Sequence, residues 1–241
     1  MLRTDLIRNV RPGPSGTTTG KIYLTFDLDW CSDSVLRHTL DLIERRDVHA
    51  TFFVTHRTPL LDRIRENPKF ELGIHPNFNC LLEGDFRYGR TYRSVIEHFL
   101  SLVPDAVSVR SHSLVQSSGI LKAFFELGIT HDCNLLVPAT ARPEPFLHWQ
   151  NGLLRVPFVF EDDVECQSAW SNLGLLRTIL SGDFLKVLDW HPIHIFLNTE
   201  DLTRYESARP VLQEHALLAR KVNANSYGAN DFLHEILGQC S

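Results

Sequence analysis

The stretch KIYLTFDLDW at residues 21–30 joins an apolar run to two aspartates. A short run rich in β-branched and aromatic residues is typical of a buried strand, and we expect one over residues 21–26. Because side chains alternate along an extended chain, Asp27 and Asp29 should point the same way. The stretch therefore predicts a strand that ends in a pair of carboxylates facing one site.

The rest of the chain alternates between strand-like and helix-like segments. Further strands are predicted at residues 48–54, 70–74, 106–109, 129–130, 153–160 and 184–190, and helices at residues 32–46, 59–67, 91–103, 116–127, 210–222 and 231–237. Such alternation indicates βαβ units and a parallel sheet. We expect one α/β domain over residues 1–241, either a barrel or a doubly wound sheet. Residues 1–20, which end in the turn-rich RPGPSGTTTG, are expected to form a loose lead-in.

Composition excludes several classes of protein. Apolar residues make up 43% of the chain and charged residues 22%, with a net charge of −5, values typical of a globular protein rather than of a disordered, collagen-like or coiled-coil chain. A nucleic-acid partner is not expected, because no strongly basic region is present. We also expect no membrane span. Residues 1–12 hold no apolar run of signal-peptide length and the five cysteines form no CxxC pair, so we expect a cytoplasmic protein with free thiols.

Polar side chains that bind cations or carry protons follow five of the predicted strands. They are Asp27 and Asp29; His75, Asn77 and Asn79; Arg110 and His112; His131 and Asp132; and His191 and His194. In an α/β barrel the carboxyl ends of the strands form one rim, and that rim holds the active site. The shared position therefore predicts a single site built from distant parts of the chain.

The residue types at these strand ends indicate metal-assisted acid–base chemistry. Asp29, His75 and His112 make an Asp/His/His set with an open position for water, which is typical of a catalytic zinc site. Asn79 lies four residues after His75 and can reach the same site, where an amide would orient a water. Arg110 is suited to hold a carboxylate in two hydrogen bonds and to keep it ionised.

Proton donation is expected from one of two histidines near the end of the chain. His191 or His194 can protonate a leaving group near neutral pH. Asp132 either steadies that donor or caps a turn. The acidic run at residues 161–163 also follows a predicted strand and can edge the site.

Five motifs together resemble the NodB-homology polysaccharide deacetylases of carbohydrate esterase family 4. They are TFDLDW at 25–30, ATFFVT at 50–55, ELGIHPNFN at 71–79, RSHSL at 110–114 and HPIHIFLN at 191–198. The resemblance is greatest to deacetylases of bacterial O-antigen and surface-polysaccharide gene clusters. It implies a distorted (β/α) barrel of about seven parallel strands and a divalent metal, commonly zinc. It also implies these roles: Asp27 as general base, Asp29 and His75 as metal ligands, Arg110 orienting the base, Asp132 tuning the acid, and His191 as the acid.

The chain departs from the family pattern at two places. Leu28 separates the two aspartates, and Asn79 stands where the family has a second histidine. We therefore expect His112 to supply the third metal ligand. The reaction implied is removal of an N-acetyl group from a sugar or oligosaccharide. An aromatic wall for the sugar ring can come from Trp30, Trp149 or Phe146.

Two alternatives remain open from the sequence. In a phosphatase of the haloacid-dehalogenase type, Asp27 would be the nucleophile and Asp29 the acid, and the pair Asp162–Asp163 would mimic the late acidic motif. Such an enzyme needs Mg²⁺ and a phosphate-binding lysine before that pair, for which the nearest candidate is Lys122. The second alternative is a catalytically degenerate relative that binds a sugar without cleaving it.

Overall fold

A curled sheet with helices packed around it brings four of the five predicted strand ends, those that carry Asp29, His75, His112 and His191, to one rim. His131, at the fifth, instead contacts Val10 near the N-terminus. The computed structural model describes residues 2–13, 20–170 and 174–240. Its strands are β1 (Arg3–Thr4), β2 (Lys21–Asp27), β3 (Ala50–Val54), β4 (Phe70–Ile74), β5 (Ser108–Val109), β6 (His131–Asp132), β7 (Phe146–Leu147), β8 (Leu154–Arg155), β9 (Phe160–Glu161) and β10 (Val187–Trp190). Its helices are α1 (Asp33–Arg46), α2 (Leu60–Glu66), α3 (Asn79–Leu82), α4 (Tyr92–Leu100), α5 (Ser118–Glu126), α6 (Asp162–Gln167), α7 (Leu175–Ser181), α8 (Pro192–Leu197), α9 (Leu202–Ala208), α10 (His215–Leu218) and α11 (Ala229–Leu237).

The strands follow the order β7-β8-β6-β5-β4-β3-β2-β10-β9, with β1 added beside β2. All neighbours are parallel except the antiparallel pair β7 and β8. β8 pairs with β6 and β9 pairs with β10, although residues 154–161 are one continuous run. This run joins the two ends of the sheet, and the expected distorted (β/α) barrel is confirmed.

The single strand predicted over residues 153–160 is wrong, because this run changes partners halfway along. Pro157 lies between β8 and β9. It has no backbone N–H to donate to a neighbouring strand, so an uninterrupted ladder is not available there. Because the partner changes at this point, the first half of the run pairs near one end of the sheet and the second half pairs at the other end.

The loose lead-in expected over residues 1–20 is wrong for residues 2–10, which pack against the barrel. Arg3 and Thr4 pair with β2, and Ile7 and Val10 are buried. Val10 also offers its carbonyl oxygen to His131 Nε2 at 3.0 Å. Most of the turn-rich part of the prediction, residues 14–19, lies outside the described residues.

The barrel has an apolar interior distinct from the layer between its strands and helices. Its members are Ile7, Val10, Tyr23, Phe53, Cys133, Leu154, Val156, Phe158, Leu185 and Val187. The larger apolar layer on the outside of the sheet includes the buried faces of α1, α4, α5 and α11. The interior therefore forms a packed base beneath the polar rim.

The continuous helix predicted over residues 210–222 is also wrong. The segment forms a short 3-10 turn at Arg209–Val211, then α10, and then a second 3-10 turn at Ala219–Lys221. Leu218 is the one buried side chain in this segment. Helices gain most of their stability from packing of an apolar face, and this segment packs too little of its surface to hold a long helix. Among the described residues, no helix has the length and apolar character needed to cross a bilayer.

Candidate metal and catalytic site

Three side chains from different strand ends converge at the rim. Asp29 follows β2, His75 follows β4 and His112 follows β5. Oδ1 of Asp29 lies 3.1 Å from Nε2 of His75 and 3.3 Å from Nδ1 of His112. The structure thus brings the sequence-predicted donor set together, and we refer to it as the Asp29 cluster.

The Asp29 cluster fits a divalent cation. Oδ1 of Asp29 and Nε2 of His75 are buried and have no hydrogen-bond partner, a costly arrangement unless something else satisfies them. Ligand atoms held ~2.0–2.1 Å from a tetrahedral zinc ion lie roughly 3.3–3.4 Å from one another, close to the separations seen here. Burial alone would raise the pKa of Asp29, but His112 and His75 beside it bring that pKa well below its usual value.

Asn79 is not part of the Asp29 cluster. It begins α3, and its Nδ2 donates to the Ser113 hydroxyl at 3.1 Å. Its side chain is therefore directed to the loop after β5 rather than to Asp29. Of the two candidates for a third donor, the geometry favours His112.

A buried arginine holds the carboxylate of Asp27 beneath the cluster. The Arg110 guanidinium is fully buried and donates to Asp27 Oδ1 at 2.9 Å and to Asp189 Oδ1 at 2.5 Å. It also donates to the Thr25 hydroxyl at 2.9 Å. Oδ2 of Asp27 accepts no hydrogen bond from the described residues and lies 3.4 Å from Nδ1 of His75. Arg110 therefore fixes Asp27 with one oxygen left to face the cluster.

Arg110 also rests on the apolar interior of the barrel. Its guanidinium lies 4.7 Å from the ring centre of Phe53 and 4.5 Å from that of Phe158, distances typical of cation–π contacts. Burial and the charge of Asp27 raise the pKa of Asp189 well above its ordinary value, despite the opposing effect of Arg110. The Arg110 guanidinium thus hydrogen-bonds two buried carboxyl groups, those of Asp27 and Asp189.

His191 is oriented by a carboxylate. Its Nδ1 hydrogen-bonds Asp162 Oδ1 at 2.7 Å, and its backbone N–H donates to the other oxygen of Asp162 at 2.8 Å. Its Nε2 lies 3.5 Å from Asp29 Oδ2 and so faces the cluster. Burial would lower the pKa of His191, but Asp163 and Asp162 outweigh it and raise that pKa well above its ordinary value.

The expected contact between Asp132 and the proton donor is wrong. Asp132 lies in β6 directly opposite Arg155 of β8, and the two form an ion pair at 2.5 Å. Its other oxygen accepts from Asn134 Nδ2 at 2.6 Å. Asp132 is therefore occupied by neighbours in the sheet, and Asp162 holds the position that the sequence had suggested for it.

His194 belongs to a second histidine–carboxylate pair. Its Nε2 hydrogen-bonds Asp163 and its Nδ1 contacts the Thr199 hydroxyl at 3.0 Å. The carboxylates and imidazoles of Asp162, Asp163, His191 and His194 come close enough together to suggest a second metal site. Their paired distances, 2.7 Å and 2.5 Å, are those of direct hydrogen bonds and are too short for two ligands on one cation.

The lysine that a phosphatase would need is not at this rim. Lys122 lies on α5 with a largely exposed side chain, 3.7 Å from Glu126. The pair Asp162–Asp163, which mimics the late acidic motif of such enzymes, is engaged with the two histidines. The geometry gives the phosphatase alternative no support.

Two residues of the site were not predicted from the sequence. Asp189 and Thr25 share Arg110 with Asp27, and the Thr25 hydroxyl lies 3.1 Å from Asp189 Oδ1. A sequence signal for both was available, because side chains two residues apart in a strand point to the same face. Thr25 precedes Asp27 by two residues, and Asp189 precedes His191 by two. The second sign was Asp189 itself, one of two charged residues inside the apolar run FLKVLDW.

Comparison with known proteins identifies the family. Residues 24–209 match the model of a family described as WbmS-like polysaccharide deacetylases. A Bordetella bronchiseptica protein of solved structure, whose suggested role is polysaccharide deacetylation in O-antigen biosynthesis, is 43% identical over 98% of both chains, with a TM-score of 0.89. No protein with a curated description matches the sequence.

Two more distant structures are also similar. One is a suggested polysaccharide deacetylase from Mycobacterium smegmatis, 16% identical over 90% of this chain and 88% of that one, with a TM-score of 0.47. The other is the 4-alpha-glucanotransferase of Thermococcus litoralis, 13% identical over 89% of this chain and 38% of that one, also at 0.47. At such values neither bears on function. The family match over most of the chain and the Bordetella structure together show that this chain belongs to the WbmS-like polysaccharide deacetylases.

Proposed function

We propose that the protein is a metal-dependent hydrolase that removes the acetyl group from an N-acetylated sugar during synthesis of a bacterial surface polysaccharide of the O-antigen kind. The observation that carries the proposal is the Asp29 cluster, whose donor atoms are spaced as ligands of one cation. Two of them, Asp29 Oδ1 and His75 Nε2, are buried without a hydrogen bond. The cation we favour is zinc, because the donors are imidazole nitrogens and a carboxylate in a three-ligand set.

The cation's contribution would be to acidify a water and to polarise the acyl carbonyl. The residues around it supply the proton transfers. Asp27, fixed by Arg110 through Oδ1, accepts the proton of the attacking water at Oδ2, which the described residues leave free. The water oxygen bonds to the acyl carbon, and the carbon–nitrogen bond of the amide then breaks.

His191 completes the reaction on the nitrogen side. Asp162 holds its Nδ1, so the proton at Nε2 is directed toward the cluster. His191 gives that proton to the departing nitrogen, and the products are acetate and an amino sugar. The elevated pKa of His191 is what this role needs, because the group must be protonated near neutral pH.

The test measures bound metal and released acetate in the same samples. Wild-type protein, stripped with a chelator and reloaded with Zn²⁺, is expected to bind about one equivalent and to release acetate from nucleotide-linked or oligomeric N-acetylhexosamines. Asp29→Asn should lose both properties because it removes a charged ligand. Asp85→Asn, a change at a half-exposed aspartate paired with Arg87, is the matched control and should keep both.

Two results would contradict the proposal. Zinc bound equally well by Asp29→Asn would show that the cation lies elsewhere. Tight binding of N-acetylated sugars with no acetate released under any divalent cation would favour the sugar-binding relative instead.

A further inference from the structure

Asp189 lies beside a second acidic side chain on the inner face of the barrel. In β10 it pairs in register with Thr25 of β2 on one side and with Glu161 of β9 on the other. The preceding pair, Leu188 and Phe160, belongs to the outer apolar layer, and successive side chains of a strand alternate between its faces. Asp189 and Glu161 therefore both point inward from strands that lie about 4.8 Å apart. Two carboxyl groups thus stand side by side in the wall of the site.

The two oxygens of Asp189 have different surroundings. Oδ1 accepts hydrogen bonds from Arg110 at 2.5 Å and from the Thr25 hydroxyl at 3.1 Å. Oδ2 is buried, and none of the described residues hydrogen-bonds it. An ionised carboxylate needs donors at both oxygens, whereas a protonated one needs an acceptor for its hydrogen. The neighbouring carboxyl group of Glu161 is such an acceptor, so the geometry favours a proton on Asp189 Oδ2.

One guanidinium is shared among the acids of this wall. Nη1 of Arg110 donates to both Asp27 and Asp189, and Glu161 adds a third carboxyl group close enough to interact with all three. When like charges share a poorly solvated site, one of the groups keeps a proton. In agreement, burial raises the pKa of Asp189 well above its ordinary value and that of Glu161 to about 7.

We propose that Asp189 and Glu161 form a carboxyl pair that holds one proton between them, with Asp189 as the protonated member, and that this pair leaves the charge of Arg110 to Asp27. Asp189 is then a positioning residue, because it anchors the guanidinium through Oδ1 as a neutral group and does not compete for the positive charge. The consequence for Asp27 rests on the proposed function, in which Asp27 is ionised and accepts a proton. The protonation of the pair does not rest on it.

The first test observes the proton directly. The infrared difference spectrum of wild-type protein minus Asp189→Asn at neutral pH is expected to show the C=O stretch of a protonated carboxyl group, shifted when H2O is replaced by D2O. Glu161→Gln should make this band disappear at a lower pH than in the wild type, because a neighbouring negative charge has been removed. Asp62→Asn, at an exposed aspartate of α2, is the matched control, and its difference spectrum should show no such band.

The second test separates a neutral anchor from a charged one by kinetics. Asp189→Leu removes the acceptor of Arg110 and should lower kcat about 100-fold with little change in KM, because a displaced guanidinium no longer fixes Asp27. Asp189→Asn should recover most of that loss, since an amide oxygen accepts from Arg110 as a neutral carboxyl group does. Circular dichroism checks that both variants fold, and the infrared test does not depend on the leucine variant.

The third test follows stability with pH. The folded chain keeps the proton of Asp189 at pH values where the unfolded chain has released it, so this residue lowers stability as pH rises above the ordinary aspartate value. The difference between the urea midpoints of Asp189→Asn and wild type should therefore grow in favour of the variant from about pH 4.5 to about pH 7. The titratable or charged groups that act on Asp189, all left in place by the variant, are Asp27 of β2, Arg110 after β5, Glu161 of β9 and His191 after β10.

Three results would overturn the inference: no protonated-carboxyl band at neutral pH, equal losses of kcat in Asp189→Asn and Asp189→Leu, or a difference in urea midpoint that does not grow with pH. The tests also separate the inference from the proposed function. Acetate release without the infrared band would leave the deacetylase in place and remove the carboxyl pair. The band without acetate release from any substrate would keep the pair and remove the deacetylase.

Discussion

Arg110 is the residue on which the geometry of the site depends most. It is fully buried, contacts two carboxylates and lies against two aromatic rings of the barrel interior. Removing one partner from a buried ionic group leaves uncompensated charge in a medium that solvates it poorly. The catalytic geometry and the stability of the chain therefore depend on the same side chain.

Replacement of this arginine should be strongly destabilising. We expect Arg110→Met to lower the free energy of unfolding by about 3–5 kcal/mol, since Asp27 and Asp189 would lose their shared cation. Urea denaturation followed by circular dichroism measures this. Arg93→Met is the control, because Arg93 is half-exposed in its ion pairs, and its effect should stay within about 0.5 kcal/mol. Equal losses in the two variants would contradict the account.

The two candidate partners of the proton donor can be separated by activity. Asp162→Asn should lower kcat about 100-fold or more, because it weakens the hydrogen bond that orients His191 and favours its protonated form. Asp132→Asn breaks the ion pair with Arg155 and should act mainly on stability. Steady-state kinetics and thermal unfolding of both variants make the comparison. A larger kcat loss in Asp132→Asn would restore the assignment made from the family motif.

At the scale of elements, the central strands pack without spare room on the inside of the barrel. A Cβ added at Gly73 of β4 would lie 2.6 Å from a ring carbon of Phe53 and 2.7 Å from the Ser108 hydroxyl. Those neighbours come from β3 and β5, so a side chain at this position would push three strands apart. The Arg110 guanidinium packs on the ring of Phe53. The spacing of these strands therefore affects the position of Arg110 at the polar rim.

A methyl group at this position should therefore cost stability. Gly73→Ala is expected to lower the free energy of unfolding by about 1–3 kcal/mol, the usual effect of overpacking. Gly119→Ala in α5 is the matched control: its nearest neighbours lie at 3.8 Å or more, and it should be neutral or stabilising by up to about 1 kcal/mol. Chemical denaturation of both variants tests the difference. Equal stability of the two would show that the interior adjusts easily.

For the whole molecule, the sequence predicted the strand ends better than it predicted the connections between them. The apolar runs before Asp27 and before His75 were correctly predicted as strands. Strands of a parallel sheet are buried on both faces, so their sequences are nearly continuous apolar runs that are easy to recognise. The short helices α6 and α8 were not predicted, since six residues are too few to show the apolar periodicity of a helix. The 153–160 run was misread because a single stretch of sequence does not reveal that it changes neighbours.

The same limit explains what was missed at the site. The convergence of Asp29, His75 and His112 followed from their common position after strands. Which aspartate orients His191, Asp132 or Asp162, could not be predicted in the same way, because the answer depends on which strand lies beside each residue. Cross-strand pairing of Asp132 with Arg155 is a property of sheet order, and sequence alone does not give that order.

Burial of His131 should make the stability of the protein depend on pH. Burial lowers the pKa of this histidine, more than its contact with the Val10 carbonyl raises it. The unfolded chain therefore takes up the proton first as pH falls below the ordinary histidine value, and stability falls with it. We expect His131→Gln to lose less unfolding free energy than the wild type between about pH 7.5 and about pH 5.5.

Urea titrations at the two pH values test the role of His131. His98→Gln, at an exposed histidine of α4, serves as control and should lose as much as the wild type. An unchanged pH dependence in His131→Gln would show that the base of the barrel does not titrate in this range.

The packing of residues 2–10 beneath the barrel has a consequence for synthesis on the ribosome. Ile7 and Val10 find their apolar neighbours in strands that are translated much later, up to Val187 in β10. At ~5–20 residues per second, roughly 10–35 s pass before those neighbours exist. During that interval residues 2–10 of the nascent chain expose apolar side chains that have no partners to pack against. We expect this segment to bind chaperones that act on nascent polypeptides.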